Sequence, residues 1–411
     1  MDRLGTVAIV GGGLAGATAA RALRDEGFDG GLVLVGDESE FPYDRPPLSK
    51  GYLRGEMTRA ALGVNEPAWY ERQSIDWRCG LAVVELDPAA RVLRLSDGSR
   101  VRFDALLLAT GAAPRIPDVP GAHLRGVHAL RTARDADEIR EAAAAASRIA
   151  VVGGGWIGAE VAASLRQLGC DVALVVPGQA PLERVLGSHV ASVYRELHES
   201  HGVDVMAAER AASFEGGGRV AAVRMASGRR IPADLVVVGT GVEPRTDLAT
   251  AAGLPVDGGI VASEYLETGA PGVFAAGDVA AAWHPRLRVR LRLEHWDNAI
   301  RQGRTAALNM LGRRTAHDAV PYFYSDQYDL GMEYFGHASG SERAVLRGVP
   351  RDGAFMAFWL RDGAIAAAMH ANEWDAADDL RRLVEQSSRV DPALLADEKV
   401  PLGVLGTEQA A

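Results

Sequence analysis

Cysteine is nearly absent from this chain of 411 residues: Cys79 and Cys170 are the only two. Two thiols cannot build a disulfide framework or a four-cysteine metal site, and each is expected to be a small buried hydrophobe. Long apolar runs are missing as well. No stretch approaches the ~18 to 20 uninterrupted apolar residues of a membrane span. The first expected strand begins at Val7, leaving no room for a signal peptide, so a soluble cytoplasmic protein is the expectation. Basic charge is in deficit, with 44 Lys and Arg against 54 Asp and Glu and a net charge of −10. That balance argues against general nucleic-acid binding and against a basic membrane-surface protein. What the chain does have is bulk. It is 48% hydrophobic and too long for one core, which suggests two or three domains.

Glycine is placed with purpose. VAIVGGGLAG (Val7 to Gly16) carries Gly11, Gly13 and Gly16 in G-x-G-x-x-G spacing, and IAVVGGGWIG (Ile149 to Gly158) repeats it with Gly153, Gly155 and Gly158. Each motif follows a short apolar, mostly β-branched run and precedes a helix-like segment. The first glycine allows a tight turn out of the strand, and the second lets the backbone approach a pyrophosphate. The third lets the helix pack on the strand, and the helix N-terminus then meets the phosphates with free N–H groups and partial positive charge. Two such motifs suggest two dinucleotides on one protein, with electrons passing between them.

The rest of the chain repeats one plan. A βαβ unit spans Val7–Val10, a helix from about Leu14 to Glu26, and Leu32–Val35. The loop FPYDRPPLSK (Phe41 to Lys50) is too proline-rich for a helix interior. Short strands follow between Ile75 and Asp104, and ALLLATG closes the unit at Gly111. A proline-rich crossing over Ala113 to Pro120 leads to a second βαβ unit, which ends in LVVVGTG at Gly241. The echo between LLLATG and VVVGTG marks an internal duplication at domain scale. Beyond it lie GVFAAGDV (Gly272 to Val279), a hairpin from AFMAFWL and AIAAAMH (Ala354 to His370), and an amphipathic helix over roughly Trp374 to Gln386.

In order along the chain, GGGLAG, VGDE at Val35, YDRPPLSK, LATG and LRT at Leu130 resemble one family, as do GGGWIGAE, GTGVEP, AGDV, RLEHWDN at Arg292, SDQ at Ser325 and VPL at Val400. It is the family of FAD-dependent NAD(P)H:ferredoxin reductases of the glutathione-reductase fold, which includes the putidaredoxin and aromatic-ring dioxygenase reductases. The resemblance implies an α/β fold: two Rossmann-like dinucleotide-binding domains and a C-terminal α+β interface domain. On this chain it implies a discontinuous FAD domain over 1–112 and 242–320, an NAD(P)H domain over 113–241, and an interface domain over 321–411.

Carried over to this sequence, the loop of Gly11, Gly13, Leu14, Ala15 and Gly16 would hold the FAD pyrophosphate. Asp37, with Glu38 as its neighbouring option, would take the adenosine ribose hydroxyls. Val83 would hold the adenine by backbone contacts and Arg131 would lie near the pyrophosphate. Asp278, after Gly277, would accept from the ribityl chain, and Trp296, after Glu294 and His295, would lie against the flavin. Arg45, Ala109, Thr110 and Gly111 complete that set. For the nicotinamide coenzyme the candidates are Gly153, Gly155, Trp156, Ile157, Gly158, Glu160 and Gly241. Lys50 and Glu160 form the expected catalytic pair: Glu160 would orient the nicotinamide, and Lys50 would stabilise negative charge on the flavin.

The resemblance also implies a 2Fe–2S ferredoxin as acceptor, serving a monooxygenase or ring dioxygenase. In RLRVRLR (Arg286 to Arg292) four arginines alternate with aliphatics, so a strand would place all four on one face to steer an acidic ferredoxin. Disulfide reductases of this fold carry a cysteine pair beside the flavin, whereas Phe41 to Lys50 contains none. Three positions depart from the family pattern. The strand VALVVP ends in Val176 and Pro177 where an acid normally binds the ribose, so the coenzyme is NADH or NADPH, with NADH favoured but not secured by the sequence. Trp156 replaces the common tyrosine, and PYFYS (Pro321 to Ser325) has tyrosines where tryptophans are frequent. A quinone or oxygen reductase, or a flavin-binding interaction protein of the apoptosis-inducing-factor type, are the alternatives. A monomer or weak homodimer is expected.

Overall fold

The computed structural model describes residues 4–339 and 342–406, which form two compact units. The first comprises residues up to Arg45, Arg59–Ala113 and Val242–Ala319; the second comprises Pro46–Thr58, Pro114–Gly241 and Val320 onward.

The first unit is built on a five-stranded parallel sheet ordered Val273–Ala275, Ala105–Leu108, Thr6–Val10, Gly31–Val35 and Ile75–Arg78. Its inner strands are uninterrupted runs of buried aliphatics, as expected of parallel strands covered on both faces. The Leu14–Asp25 helix follows the first strand, as the glycine motif predicts, and packs against a late helix, Trp296–Met310. Their approach is close: a Cβ at Gly303 would collide with the Ala15 carbonyl oxygen. Antiparallel strands Val83–Asp87, Val92–Leu95 and Arg100–Arg102 form a separate small sheet.

The second unit repeats this plan and then extends it. Its parallel sheet runs Asp204–Met206, Val172–Val175, Ile149–Val152, Leu235–Val238 and Val127–Ala129. A three-stranded antiparallel sheet, Ala211–Glu215, Ala222–Met225 and Arg230–Pro232, matches the one in the first unit. The C-terminal sheet is five-stranded and antiparallel, ordered Tyr322–Gln327, Leu330–Gly336, Ala364–Ala371, Ala354–Arg361 and Ala344–Val349. The expected hairpin is its Ala354–Arg361 and Ala364–Ala371 pair, and the expected helix is a short turn at Trp374–Ala376 continued by Ala377–Glu385.

Strand alternation gives that sheet two apolar faces. Phe335, Phe358 and Ala368 face the Ala377–Glu385 helix and the C-terminal turns, in one core with Leu380, Leu383 and Leu402. Tyr334, Trp359 and Met369 face the other way and share a core with Leu182, Leu186, Val190 and Tyr194 around the Glu183–Ser200 helix. The C-terminal sheet and the second nucleotide fold are therefore joined by a common hydrophobic core.

Two expectations are corrected. Cys79 is exposed rather than buried, because it lies in the turn after Ile75–Arg78 beside Gly80, whose φ is +66°; Cys170 is intermediate. The arginine run is not one strand. Arg286 and Arg288 sit in a turn between Ala280–His284 and Val289–Leu291, with Arg288 at φ +52°. His284 closes that turn: its carbonyl accepts from the Arg288 N–H at 2.8 Å, and its Nδ1 accepts from the Leu287 N–H at 3.2 Å. Strand alternation is lost there, and the four side chains do not share a face. Arg290 instead donates to the carbonyls of Ala262 and Ala281 (2.9 Å to the latter), and Arg292 pairs with Glu294.

Candidate functional site

Both glycine loops adopt the same geometry for the same steric reasons. Gly11 and Gly153 each have φ +121°, and a Cβ at either would fall on a carbonyl oxygen, that of Ala109 or Gly239. A Cβ at Gly16 would strike the Gly11 carbonyl, and one at Gly158 the Gly153 carbonyl. Around Gly13 and Gly155 the space is open, and each is the N-cap of its helix with no side chain capping it. The first N–H groups of Leu14–Asp25 and Trp156–Gln167 are thus left for a ligand, in the manner of a pyrophosphate cradle. The residues present fit a dinucleotide at each loop.

In the first unit, distant segments converge on that cradle. Gly277 (φ +78°) donates its N–H to Gln302 Oε1 at 2.8 Å, which pins the Gly277–Val279 turn to the Trp296–Met310 helix. Asp278 lies in this turn, half-buried, and a Cβ at Gly277 would come 3.0 Å from that of Ala15. Arg45 is the hub of the DRPP loop. It pairs with Glu38 at 2.7 Å, and its guanidinium lies 5.4 Å from the Tyr43 ring centroid. Burial would lower the Arg45 pKa, but Tyr43, Glu38 and Asp278 together hold it raised. The Tyr43 hydroxyl also donates to Glu38, at 2.5 Å. Glu38 is therefore committed to its own loop. Asp37 is exposed and carries an ion pair with Arg245 at 2.7 Å. Trp296 opens its helix after His295, is 36% exposed, and donates its indole N–H to Asp44 at 3.0 Å. Burial raises the Asp44 pKa, against that hydrogen bond. Val83 opens its small sheet. The Thr110 hydroxyl is used by the fold itself: it donates to the Arg245 carbonyl at 2.8 Å, while the Gly111 carbonyl accepts from the Arg245 N–H.

The second unit holds the charged pair. Glu160, 6% exposed in the second turn of Trp156–Gln167, accepts from three donors. Lys50 Nζ lies at 2.8 Å, Ser49 Oγ at 2.5 Å and Ser325 Oγ at 2.8 Å. Lys50 also donates to the Pro46 carbonyl at 3.3 Å and stands 5.5 Å from the Tyr324 ring centroid. The segment carrying Lys50 is tied to two helices. Ser164, one turn beyond Glu160, donates to the Ser49 carbonyl at 2.6 Å. On the Ala133–Ala145 helix, Asp137 accepts from the Tyr52 hydroxyl at 2.9 Å and Arg140 donates to the Tyr52 carbonyl at 3.0 Å. Arg131 precedes this helix and donates its N–H to Asp135, half of a capping box with Thr132. Thr240 repeats the role of Thr110, donating to the Arg115 carbonyl at 2.6 Å, and the Gly241 carbonyl accepts from the Arg115 N–H.

The sequence reading missed Ser49, Ser164 and the roles of Ser325 and Gln302. A single serine carries no spacing signal, although SDQ and DRPPLSK both contain one. Two of the three departures have structural reasons. Val176 is fully buried, and a Cβ on Gly154 would meet its side chain, so it fills space beneath the second loop. Trp156 packs 4.7 Å from Phe323 and 6.5 Å from Tyr194, an indole wedged between the nucleotide fold and the C-terminal sheet.

Two dinucleotide cradles, each at the carboxyl end of a parallel sheet, together with a buried ammonium–carboxylate pair, define a pyridine-nucleotide oxidoreductase of the doubly wound α/β class. Residues 5–303 match the pyridine nucleotide-disulphide oxidoreductases and residues 322–405 match the reductase C-terminal domain. The chain belongs to the pyridine nucleotide-disulphide oxidoreductase family. It is 37% identical to putidaredoxin reductase of Pseudomonas putida, covering 98% of this chain and 97% of that one. It is 40% identical to the ferredoxin reductase component of a Cupriavidus chlorobenzene dioxygenase, covering 95% of each. A solved putidaredoxin reductase, in covalent complex with putidaredoxin, superposes with a TM-score of 0.93 at 36% identity, over 97% of each chain. Among the described residues no helix is long and apolar enough to cross a membrane, and no cluster suited to a metal ion occurs.

Proposed function

We propose that this protein is a FAD-dependent NADH:ferredoxin reductase that passes single electrons to a 2Fe–2S ferredoxin of a monooxygenase or ring-dioxygenase system. The observation that carries the reading is the buried Lys50–Glu160 pair, set on the helix that opens at the second glycine loop. FAD, when bound, supplies the chemistry: it takes two electrons together as hydride from the nicotinamide and releases them one at a time.

The chain's own residues bind, orient and neutralise. Gly11, Gly13 and Gly16 admit the FAD pyrophosphate, and Asp37 accepts from the adenosine ribose after exchanging Arg245 for it. Asp278 takes the ribityl hydroxyls. Gly153, Gly155 and Gly158 admit the coenzyme pyrophosphate, and Glu160 orients the carboxamide of the nicotinamide. Lys50, held by Glu160, keeps a fixed positive charge available without a free ammonium wandering to solvent. The discontinuous FAD domain, the inserted coenzyme domain and the C-terminal domain are retained as the functional division. The relatives support a ferredoxin as partner. For an acidic one, the hairpin offers the exposed Arg286 and Arg288 rather than a four-arginine face.

The test is steady-state oxidation of NADH and of NADPH by the purified flavoprotein with ferredoxin, quinone or oxygen as sole acceptor, at two ionic strengths. Fast turnover with ferredoxin alone, slowed by salt, supports the reading. Equal turnover with quinone or oxygen replaces it, and negligible turnover with every acceptor points to an interaction protein.

A further inference from the structure

Behind Glu160 a chain of polar side chains runs through the second unit. Ser325 Oγ donates to Glu160 Oε1 at 2.8 Å, and Gln327 Nε2 donates to Ser325 Oγ at 3.3 Å. His198 Nε2 lies 3.0 Å from Gln327 Oε1, and its Nδ1 lies 3.1 Å from the Tyr328 hydroxyl. His201 stacks on the Tyr328 ring at 3.7 Å with an interplanar angle of 11°. Three elements contribute: the Trp156–Gln167 helix, the Tyr322–Gln327 strand and the last turn of Glu183–Ser200. Ser325 and Gln327 are two apart on the strand, so both point to the same side.

The order of donors is dictated from the carboxylate outward. Glu160, paired with Lys50, is an acceptor, so the single Ser325 proton is spent on it. Ser325 Oγ must then accept, which fixes the Gln327 amide with its NH2 toward Ser325 and its oxygen toward His198. That oxygen requires a proton on His198 Nε2, leaving Nδ1 to accept from Tyr328. Flipping the amide would turn Ser325 away from Glu160 and leave Oε1 without this donor. Ser325 and Gln327 are 1% exposed and His198 is 0% exposed, so water cannot substitute for a lost member.

We propose that Gln327 and His198 are positioning residues, which act through Ser325 to hold the Glu160 carboxylate in one orientation, with Tyr328 as the outer end of the relay. The proposal rests on reading Glu160 as the group that orients the nicotinamide. The titratable and charged neighbours are Lys50, Asp326, Arg54 and Glu333 at the inner end, with His201 and Arg166 at the outer end. Burial holds the His198 pKa down to about 4, against the Gln327 hydrogen bond, which keeps the ring neutral as the relay requires.

One test needs no activity. In the purified protein with 15N-labelled histidine, the His198 side chain, assigned by comparison with His198→Asn, is expected as the neutral Nε2–H tautomer from pH 8 down to about 5. A proton on Nδ1, or titration near the ordinary histidine value, would overturn the relay. The second test is a double-mutant cycle read by anaerobic stopped flow, with NADH affinity and the limiting rate of flavin reduction taken separately. Ser325→Ala is expected to lower the limiting rate about 10-fold, by loss of a hydrogen bond to a charged group, and to do nothing further in a Glu160→Ala background. An equal Ser325→Ala effect in both backgrounds, or none in the wild type while Glu160→Ala is slow, removes the relay and leaves the role of Glu160 standing. An unchanged rate in Glu160→Ala itself removes that role, and the relay with it.

Discussion

Replacing Glu160 by alanine should loosen the segment 46–58 far more than replacing its partner Lys50 by methionine. Glu160 is buried and Lys50 largely so, with side chains 7% and 14% exposed. Glu160→Ala leaves the Lys50 ammonium with the Pro46 carbonyl, the Tyr324 ring and the more distant Asp326 carboxylate, and it leaves Ser49 with only its longer bond to the Pro46 carbonyl at 3.4 Å among the hydrogen bonds described. Removing one member of a buried pair costs about 3–5 kcal/mol. Lys50→Met leaves the carboxylate with two hydroxyl donors, Ser49 and Ser325, so its cost is nearer about 1–3 kcal/mol. Native-state hydrogen exchange by mass spectrometry reads this locally. The amides of Lys50, Tyr52 and Arg54, which donate to Pro47, Pro47 and Lys50, report opening of the segment. At about 1.4 kcal/mol per tenfold, exchange in peptides over 46–58 should accelerate by about two to three and a half orders of magnitude in Glu160→Ala. In Lys50→Met the rise should be about 5- to 150-fold. An acceleration below about 5-fold in Glu160→Ala, or a larger effect in Lys50→Met, would refute the claim that Glu160 is the anchor.

Three further outcomes are expected. Lysine occurs only at Lys50 and Lys399, so an amine-reactive label followed by peptide mapping should modify exposed Lys399 quickly and Lys50 slowly. Comparable labelling would contradict the buried pair. Asp37 stands two residues after Val35 and Pro177 two after Val175, in matching registers with Val10 and Val152. Pro177→Asp should therefore raise the NADH-to-NADPH ratio of kcat/KM roughly 10- to 100-fold through one charge-assisted hydrogen bond, and an unchanged ratio would reject the equivalence. Burial holds both His198 and His317 down to about 4. Each takes up a proton in the unfolded chain below its ordinary value near 6.5 but not in the folded protein. Their stabilisation is complete above that value and is lost as the pH falls toward 4, by about 2 kcal/mol each at pH 5. Thermal midpoints should drop over this window and drop less in His317→Gln; an equal drop would exclude His317 as a cause.

The elements most legible in the sequence were those fixed by local sterics. The glycine loops, their helices and the closing Thr-Gly turns repeat because a carbonyl oxygen occupies the place of a Cβ at Gly11 and again at Gly153. The hairpin at Ala354–Ala371 followed from its turn and alternation. What escaped was decided by tertiary partners. RLRVRLR alternates like a strand, but His284 closes a turn within it. Cys79 looks like a core residue by type, yet it sits in a turn. The attachment of the Lys50 segment depends on Ser49 and Ser164, whose spacing of 115 residues no local pattern records. The core shared by the C-terminal sheet and the Glu183–Ser200 helix is equally nonlocal.

In the proposed function a resident flavin links a visiting nicotinamide to a one-electron protein acceptor. Sequential anaerobic stopped flow addresses it directly: NADH is mixed with the oxidised flavoprotein, and oxidised 2Fe–2S ferredoxin is added in a second mix. Flavin absorbance is expected to fall rapidly with NADH and then to recover as two ferredoxins are reduced per flavin. Flavin that bleaches but stays bleached with ferredoxin, while quinone or oxygen restores it at once, would contradict the account.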